Sequence, residues 1–240
     1  AVVCDEGKKD VLTTHHPLGH GQPKRWPDLD IGRVLQVVAS PTEDVLLLTN
    51  HRHELHLCNL DAGTLALIDT CPHANFSGLD WSPDGKWITY GKPNSHDTAA
   101  IILYELASKT KTLITQGQYA DYSPCFDPKG KYLYFLSQRN LSPKMDEVCF
   151  RYSFSDTSMA FICCLQKDTL DPLRPHPEDP FASSQEDDDA EDKKTDSDDK
   201  QNPDKDVVKP VVIDVENIGA RIKQIPIRPG RYTDLSALPD

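Results

Sequence analysis

The sequence has no apolar run long enough to hold the chain in a membrane. None of its hydrophobic stretches approaches the ~18 consecutive residues that a spanning helix needs. Residues 1–9 place a short apolar run ahead of the charges, which is the reverse of a secretory signal peptide. We therefore expect no membrane-spanning segment and no membrane partner.

The cysteines lack the pattern of a disulfide framework. There are seven, an odd number, and no two form a C-x-x-C pair. Such thiols are typical of a reducing compartment, where disulfides do not persist. Cys163 and Cys164 are adjacent on a predicted strand, so their side chains should point to opposite faces. We expect free thiols and a cytoplasmic location.

Positive charge is also in deficit. The net charge is −12, and residues 183–206 alone carry −7, from eleven acidic residues and four lysines. The rest of the chain is therefore close to neutral and offers no basic surface for a phosphate backbone. We expect no nucleic-acid partner.

The common signatures of catalysis are missing. The sequence contains no G-x-S-x-G elbow, no phosphate-binding Walker loop, no dinucleotide fingerprint and no H-E-x-x-H helix. No serine lies on a predicted strand-to-helix turn. The sequence therefore nominates no catalytic residue, no cofactor-binding residue and no metal ligand, and no cofactor is predicted. We therefore expect this segment to bind or guide another molecule, or to serve as a scaffold.

Two groups of histidines could in principle bind a metal. The first group is His15, His16 and His20, and the second is His51, His53 and His56. In the first group a polar loop without a fourth ligand or a fixed geometry is the favoured interpretation. In the second, His51 and His53 would share one face of a strand, but a hairpin loop over residues 50–54 between two apolar strands is the favoured interpretation. No metal site is predicted at either group.

One turn motif is the unit from which the repeats of this sequence can be recognised. Ser82-Pro83-Asp84-Gly85 places proline where it presets φ and glycine where positive φ carries no Cβ clash. Residues 87–90, W-I-T-Y, then supply the β-branched and aromatic side chains that favour a strand. The stretch is predicted to be a strand, a tight turn and a second strand.

This unit recurs along the chain. A related stretch begins at Ser40, 42 residues before Ser82, and another begins at Asp127, 45 residues after it. A second hairpin follows the turn at residues 55–68 and again at 101–114. Four strands repeated every ~40–50 residues are typical of propeller blades. The first copy is degraded, because Glu43 takes the glycine position and should be strained at positive φ. The predicted fold class is all-β, with β-propeller blades of four antiparallel strands in an incomplete propeller.

Composition and repeats divide the chain into six segments. The predicted boundaries are 1–30 for the end of a preceding blade or a loop, 31–71 and 72–117 for two blades, 118–177 for a third blade with a proline-rich extension, 178–206 for an acidic disordered insertion, and 207–240 for strands of the following blade. Residues 183–206 contain no aromatic residue and cannot bury enough apolar surface to offset the entropy of ordering.

Two surface features are further candidates for function. Ser183 and Ser184 each precede an acidic residue by three positions, but a solvated charge run is favoured over a phosphorylation site. The loop over residues 137–147 is longer than the corresponding loops. Long loops often contact substrates or partners, and a plain surface insertion is the alternative.

Motifs in the third predicted blade and in the sequence after it reduce the number of propeller families that the chain can resemble. Residues 121–139 read D-Y-S-P-C-F-D-P-K-G-K-Y-L-Y-F-L-S-Q-R, and residues 165–175 read L-Q-K-D-T-L-D-P-L-R-P. After the acidic run come V-I-D-V-E-N-I-G-A-R at 212–221 and I-P-I-R-P-G-R-Y at 225–232. This order resembles the propeller region of tricorn-type proteases over roughly residues 31–238. The tail motifs are far more specific than the blade turns, which many propellers share.

The resemblance implies a β-propeller that precedes a serine peptidase core. It implies that the propeller channels oligopeptides to that core within a large cytosolic homo-oligomer, and that the catalytic residues lie outside this sequence. No catalytic residue can be transferred to this chain. The alternative is a non-catalytic propeller that serves as a scaffold for protein–protein interaction.

Overall fold

The computed structural model describes residues 2–5, 9–16, 18–19, 21–145, 147, 149–173 and 210–238. Within these ranges the chain forms strands and one short 3₁₀ helix, Ile218–Arg221. The strands are β1 (Val2–Asp5), β2 (Asp10–Thr14), β3 (Lys24–Trp26), β4 (Val34–Ala39), β5 (Val45–Asn50), β6 (Glu54–Asn59), β7 (Thr64–Thr70), β8 (Ser77–Trp81), β9 (Trp87–Pro93), β10 (Ala99–Glu105), β11 (Thr110–Leu113), β12 (Asp121–Phe126), β13 (Tyr132–Ser137), β14 (Pro143–Met145), β15 (Tyr152–Phe154), β16 (Met159–Cys164) and β17 (Ile222–Gln224).

Three sheets have four antiparallel strands each. Their orders are β4-β5-β6-β7, β8-β9-β10-β11 and β12-β13-β16-β17, and we call them blades 1, 2 and 3. A three-stranded sheet, β1-β2-β3, precedes them, and β14 and β15 pair only with each other. Sheets that meander in sequence order and stack face to face are the blades of a β-propeller. The predicted fold class is confirmed.

The repeated turn has the predicted geometry in blades 2 and 3. The Gly85 amide donates to the Ser82 carbonyl at 2.9 Å, and the Gly130 amide donates to the Asp127 carbonyl at 2.8 Å. Both glycines have positive φ, at 70° and 67°. This is the conformation that a side chain would disfavour.

Blade 1 takes a different turn at the same place. The Ser40 amide donates to the Val45 carbonyl at 2.9 Å, as the Ser82 amide does to the Trp87 carbonyl in blade 2, but the Glu43 amide donates to the Ser40 hydroxyl oxygen at 3.3 Å and not to a backbone carbonyl. Glu43 is not among the residues with positive φ. The predicted strain at Glu43 is therefore wrong, because the loop follows another backbone path.

The hydrophobic core lies between the sheets. Side chains alternate along β10, so that Ile101 and Leu103 pack towards blade 3 while Ala100 and Ile102 pack towards blade 1. Both faces of this strand are buried. A buried aliphatic side chain contributes about 1.5–3 kcal/mol, so each blade is stabilised chiefly by its neighbours.

The first strands of blades 2 and 3 approach each other closely. Both are bulged, between Ser77 and Asp80 in β8 and between Tyr122 and Cys125 in β12. A Cβ on Gly78 would lie 2.6 Å from the Ser123 Cα, closer than non-bonded carbon atoms approach. The absence of a side chain at Gly78 therefore allows the contact between these two strands.

Blade 3 is completed by a strand distant in sequence. Residues 207–240 are predicted to supply strands of the following blade, whereas β17 pairs with β16 as the fourth strand of blade 3. The reason is that Ile222 packs against the core between blades 2 and 3. Residues 231–238 then pass along β12, where the Tyr122 hydroxyl donates to the Tyr232 carbonyl at 2.6 Å. The predicted acidic insertion at 178–206 lies outside the described residues.

Each meander places its connections at two opposite ends of the strands. One end carries the described residues among 51–53, 71–76, 94–98, 114–120, 138–145, 147 and 149–158, and we call it the upper face. Among the described residues no helix is long and apolar enough to cross a bilayer. Six cysteines are free thiols: Cys58, Cys71, Cys125, Cys149, Cys163 and Cys164. Cys163 and Cys164 are buried on opposite faces of β16.

Candidate functional site

A buried charge pair lies at the upper face of blade 3. Asp121 is the first residue of β12, and Arg139 follows the end of β13 by two positions. The Arg139 Nη2 atom donates to both carboxylate oxygens of Asp121 at 3.2 Å. Its Nε atom donates to the Ser137 hydroxyl at 2.8 Å, and that hydroxyl donates to Asp121. Every polar side-chain atom of Asp121, Ser137 and Arg139, except the Nη1 atom of Arg139, therefore has a hydrogen-bond partner among the described residues.

Aromatic rings surround the same guanidinium. The Arg139 Cζ atom lies 4.5 Å from the ring centroid of Phe161, 5.1 Å from Tyr119 and 5.7 Å from Phe135. Cation–π contacts of a desolvated arginine are worth about 1–2 kcal/mol. The rings and the carboxylate together fix the position of the Arg139 side chain.

The pair is electrically neutral as a unit. Asp121 is fully buried, whereas the Arg139 side chain is one quarter exposed. A buried carboxylate without its partner would cost several kcal/mol, so the two side chains depend on each other. Their mutual neutralisation leaves little charge for an ionic ligand.

A cavity of about 340 Å³ opens beside this pair, between blades 2 and 3. Its floor includes Asp121 and Arg139, and the 3₁₀ helix forms one side through Gly219 and Ala220. The remaining walls mix apolar and amide side chains: Ile114, Thr115, Gln116, Gln118, Tyr119, Asn217 and Ile222. Within the part of the chain that the structure describes, the Nη1 atom of Arg139 has no hydrogen-bond acceptor.

A hairpin next to the cavity exposes apolar side chains. Residues 140 and 157 form its base, where the Asn140 amide donates to the Thr157 carbonyl at 3.2 Å. The exposed side chains are Leu141, Met145, Phe150, Tyr152 and Phe154, of which Phe150 is 77% exposed. The segment 137–147, predicted as a long loop, thus contains β14 and leads into a projecting β-hairpin, which we call the upper hairpin.

The second histidine group does not form a site. The prediction that His51 and His53 share a strand face is wrong, because β5 ends at Asn50 and His53 has a left-handed φ of 57°. The His51 Nδ1 atom accepts from the Arg33 amide at 3.0 Å. His56 instead lies 3.1 Å from a Glu54 carboxylate oxygen.

Other candidates from the sequence fall in different places. The Gly19 amide donates to the carbonyl of His16, which begins a tight turn directly after His15. His20, Ser183 and Ser184 lie outside the described residues. The structure holds no group of three metal-ligating side chains within its described ranges.

The thiols of Cys125 on β12 and Cys163 on β16 are poor nucleophiles. Burial raises the pKa of Cys163 to about 12 and that of Cys125 to about 11. At neutral pH both are protonated, and the thiolate is the reactive form. Neither cysteine lines the cavity beside Arg139.

Sequence reasoning missed the Asp121–Arg139 pair. The signal was present in the S-x-R ending of β13, in which residues 137 and 139 point to the same side of an extended chain. The partner lies 18 residues earlier, on an adjacent strand. Only the pairing of β12 with β13 brings the two together.

Comparison with known proteins gives a consistent result. The family model of the tricorn protease second β-propeller domain matches residues 1–240. A putative tricorn-like protease C-terminal subunit of Sulfurisphaera tokodaii is 38% identical over 138 residues, covering 58% of this chain and 16% of that protein. A tricorn protease homolog of Saccharolobus solfataricus is 32% identical over 163 residues, covering 68% of this chain and 15% of that protein.

A solved structure has the same fold. The crystal structure of the tricorn protease superposes with a TM-score of 0.76 over 97% of this chain, at 21% identity, and the match covers 20% of that chain. The present chain thus spans less than a fifth of the length of the curated relatives named above.

Proposed function

This chain belongs to the family of the tricorn protease second β-propeller domain, and on that premise we propose that it contacts oligopeptide substrates and guides them to a serine peptidase core in other domains. The relatives are named as tricorn proteases or their subunits. The observation that carries the proposal is the family match over the whole chain together with a cavity and an apolar hairpin side by side on the upper face.

The proposed role is one of access and not of chemistry. The described site offers a fixed guanidinium, amide side chains and apolar surface, which recognise a peptide without cleaving it. Loops on a rigid scaffold commonly carry binding. The nucleophile, its base and the oxyanion donors would come from outside residues 1–240.

The proposed function also implies a cellular location and an oligomeric state. We propose a cytoplasmic location, with which the free thiols agree, because thiols persist in a reducing compartment. We further propose that the protein assembles into a large homo-oligomer.

A non-catalytic scaffold is the second candidate. It is favoured by the exposed apolar side chains of the upper hairpin, because clustered apolar residues on a surface often mark a protein–protein contact. In this alternative the upper hairpin binds a partner protein and no peptide passes the propeller.

The test replaces the upper hairpin in the full-length protein. Residues 141–156 are exchanged for a two-residue Asn-Gly turn, which joins the paired positions 140 and 157. Because β14 and β15 pair only with each other, folding should persist with a change in Tm of about 2 °C or less. We expect kcat/KM for fluorogenic peptides of ten or more residues to change at least threefold, while tripeptide substrates stay within twofold.

A matched control is Leu67→Ser, which removes an exposed apolar side chain on β7 of blade 1. It should leave both rates unchanged. Equal effects of the hairpin exchange on long and short peptides would contradict a role in access. A full-length protein that cleaves no peptide would favour the scaffold.

A further inference from the structure

We propose that the cavity beside Arg139 is a subsite for the main chain of a peptide, in which the Arg139 Nη1 atom donates a hydrogen bond to a peptide carbonyl oxygen. The inference rests on the proposed function and names the contact that would hold the substrate. It starts from an arginine whose Nε and Nη2 atoms are used internally and whose Nη1 atom has no acceptor among the described residues.

The neutral charge of the pair selects the type of acceptor. Nη2 donates to both oxygens of the buried Asp121 carboxylate, so the positive charge of the guanidinium is already compensated. A peptide carboxylate entering the cavity would bring a second negative charge close to Asp121, which is unfavourable at low dielectric. A carbonyl oxygen accepts the same hydrogen bond without that charge.

Preorganisation makes the contact effective. Phe161 and Tyr119 lie against the guanidinium, and Ser137 holds Nε. A side chain that is already immobilised loses little rotamer entropy when it binds. The free donor therefore keeps its direction in the absence of a ligand.

The walls of the cavity fit a peptide rather than a purely apolar or ionic molecule. Gln116, Gln118 and Asn217 each carry an amide that both donates and accepts, as a peptide group does. No hydrogen bond of these three side chains occurs among the described residues. Ile114 and Ile222 provide apolar contact, and about 340 Å³ is within the range of small-ligand sites.

The binding experiment uses the full-length protein after treatment with a fluorophosphonate, so that a serine nucleophile cannot consume the probe. The probe is an eight-residue peptide with an acetylated N-terminus and an amidated C-terminus, titrated by isothermal calorimetry. The same peptide with a free C-terminal carboxylate is titrated in parallel. We expect the amidated peptide to bind, and the free acid to bind no more than twofold more tightly.

The variants separate blocking of the cavity from damage to the fold. Ala220→Phe fills the cavity from the exposed 3₁₀ helix and leaves the Asp121–Arg139 pair intact. Val215→Phe is the matched control, since Val215 is 43% exposed and does not line the cavity. Arg139→Lys keeps the charge next to Asp121 and removes the Nη1 donor.

Ala220→Phe should weaken binding at least tenfold and Arg139→Lys at least fivefold, while Val215→Phe stays within twofold of the unmodified protein. Binding by Ala220→Phe equal to that of the unmodified protein would overturn the subsite. A free acid that binds more than tenfold more tightly would overturn the carbonyl acceptor, and so would absence of binding at millimolar peptide. If these results fail while the hairpin exchange still affects only long peptides, the subsite is refuted and the role in access is retained.

Discussion

The backbone amide of Phe126 donates a hydrogen bond of 2.7 Å to the carboxylate of Asp80, across the boundary between blades 2 and 3. Asp80 lies on β8 and Phe126 on β12, which are the first strands of their blades. One side chain thus accepts from the backbone of the next blade. This contact fixes the relative height of the two strands.

The same relationship recurs one blade later. Cys125 holds in blade 3 the position that Asp80 holds in blade 2, five residues before the turn glycine. Its Sγ atom accepts from the Ala237 amide at 3.2 Å. Residues 231–238 therefore lie beside β12 much as β12 lies beside β8, in the place of the first strand of a further blade.

Asp80 gives the first stability prediction. Asp80→Ala leaves the Phe126 amide without an acceptor and should lower the free energy of unfolding at pH 7 by about 1–3 kcal/mol. Asp80→Asn keeps an acceptor oxygen and should change it by less than about 1 kcal/mol. The measurement is urea unfolding followed by tryptophan fluorescence.

The pH dependence of the two proteins provides a check. Burial raises the pKa of Asp80 above its ordinary value of 3.8. A raised pKa in the folded state means that ionisation opposes folding. The unmodified protein should therefore gain stability relative to Asp80→Asn as the pH falls through the folded pKa towards 3.8. A constant difference between the two over this range would contradict the prediction.

The turns show how much of the fold the sequence determines locally. Pro83 and Gly85 have strong backbone preferences, so the turn of blade 2 follows from the four residues 82–85 and is recognisable without a structure. At Glu43 the same reasoning fails, because the Glu43 amide donates to the Ser40 hydroxyl oxygen at 3.3 Å and Glu43 does not take a positive φ. Local preference predicts a turn at this place but not which backbone path it takes.

Contacts between residues far apart along the chain could not be predicted from the sequence. Local pattern alone does not indicate that β17 pairs with β16, since 57 residues separate Cys164 from Arg221, whose Nε atom donates to the Cys164 carbonyl. The Asp121–Arg139 pair depends on the pairing of β12 with β13 in the same way. The upper hairpin was missed because its two strands have three residues each. Strands so short carry no measurable alternation.

Glu54 gives a second prediction, which concerns acid stability. Its carboxylate accepts from the Asn50 side chain at 2.7 Å, and this bond, aided by Arg52 and His56, lowers its pKa from 4.5 to about 2. Glu54→Gln should lower the free energy of unfolding at pH 7 by about 1–2 kcal/mol, less than the full pKa shift implies, because the carboxylate is partly solvated.

The sign of the pH effect follows from the lowered pKa. The stabilisation by Glu54 is present above pH 4.5 and is lost as the pH falls towards 2, so the difference between the two proteins should disappear there. Glu43→Gln is the matched control, because Glu43 is exposed, and it should stay within about 0.5 kcal/mol at every pH. An undiminished difference at pH 2 would refute the proposed origin.

Asp69 gives the third prediction, at the boundary between blades 1 and 2. This residue of β7 is 8% exposed, and its carboxylate meets three groups of blade 2. The Tyr90 hydroxyl donates at 2.8 Å, and the ammonium groups of Lys92 and Lys111 each lie at 2.9 Å. Burial by itself would raise the pKa of Asp69, but the three hydrogen bonds together outweigh it and hold the pKa below its ordinary value.

Two substitutions separate the charge from the hydrogen bond. Asp69→Asn removes the charge but leaves an oxygen for Tyr90, and should lower the free energy of unfolding at pH 7 by about 1–2 kcal/mol. Asp69→Ala also leaves the fully buried Tyr90 hydroxyl without its acceptor and should cost about 2–3 kcal/mol. Both lysines are partly exposed and can return to water, so they add little to this difference.

A double-mutant cycle with Tyr90→Phe isolates the buried hydrogen bond. Tyr90→Phe alone should cost about 1 kcal/mol, because Asp69 keeps both lysines. Once the hydroxyl is gone, Asp69→Ala no longer strands a buried donor, so the double variant should be more stable than the sum of the single losses by about 1 kcal/mol. A coupling energy below about 0.3 kcal/mol would show that the hydroxyl is satisfied in another way.

The lowered pKa of Asp69 determines the pH range in which its charge stabilises the fold. The stabilisation from the ion pairs with the lysines is present above pH 3.8 and is lost as the pH falls through the folded pKa. The loss caused by Asp69→Asn should therefore shrink in acid, whereas the coupling to Tyr90, which needs only an acceptor oxygen, should persist wherever the protein remains folded.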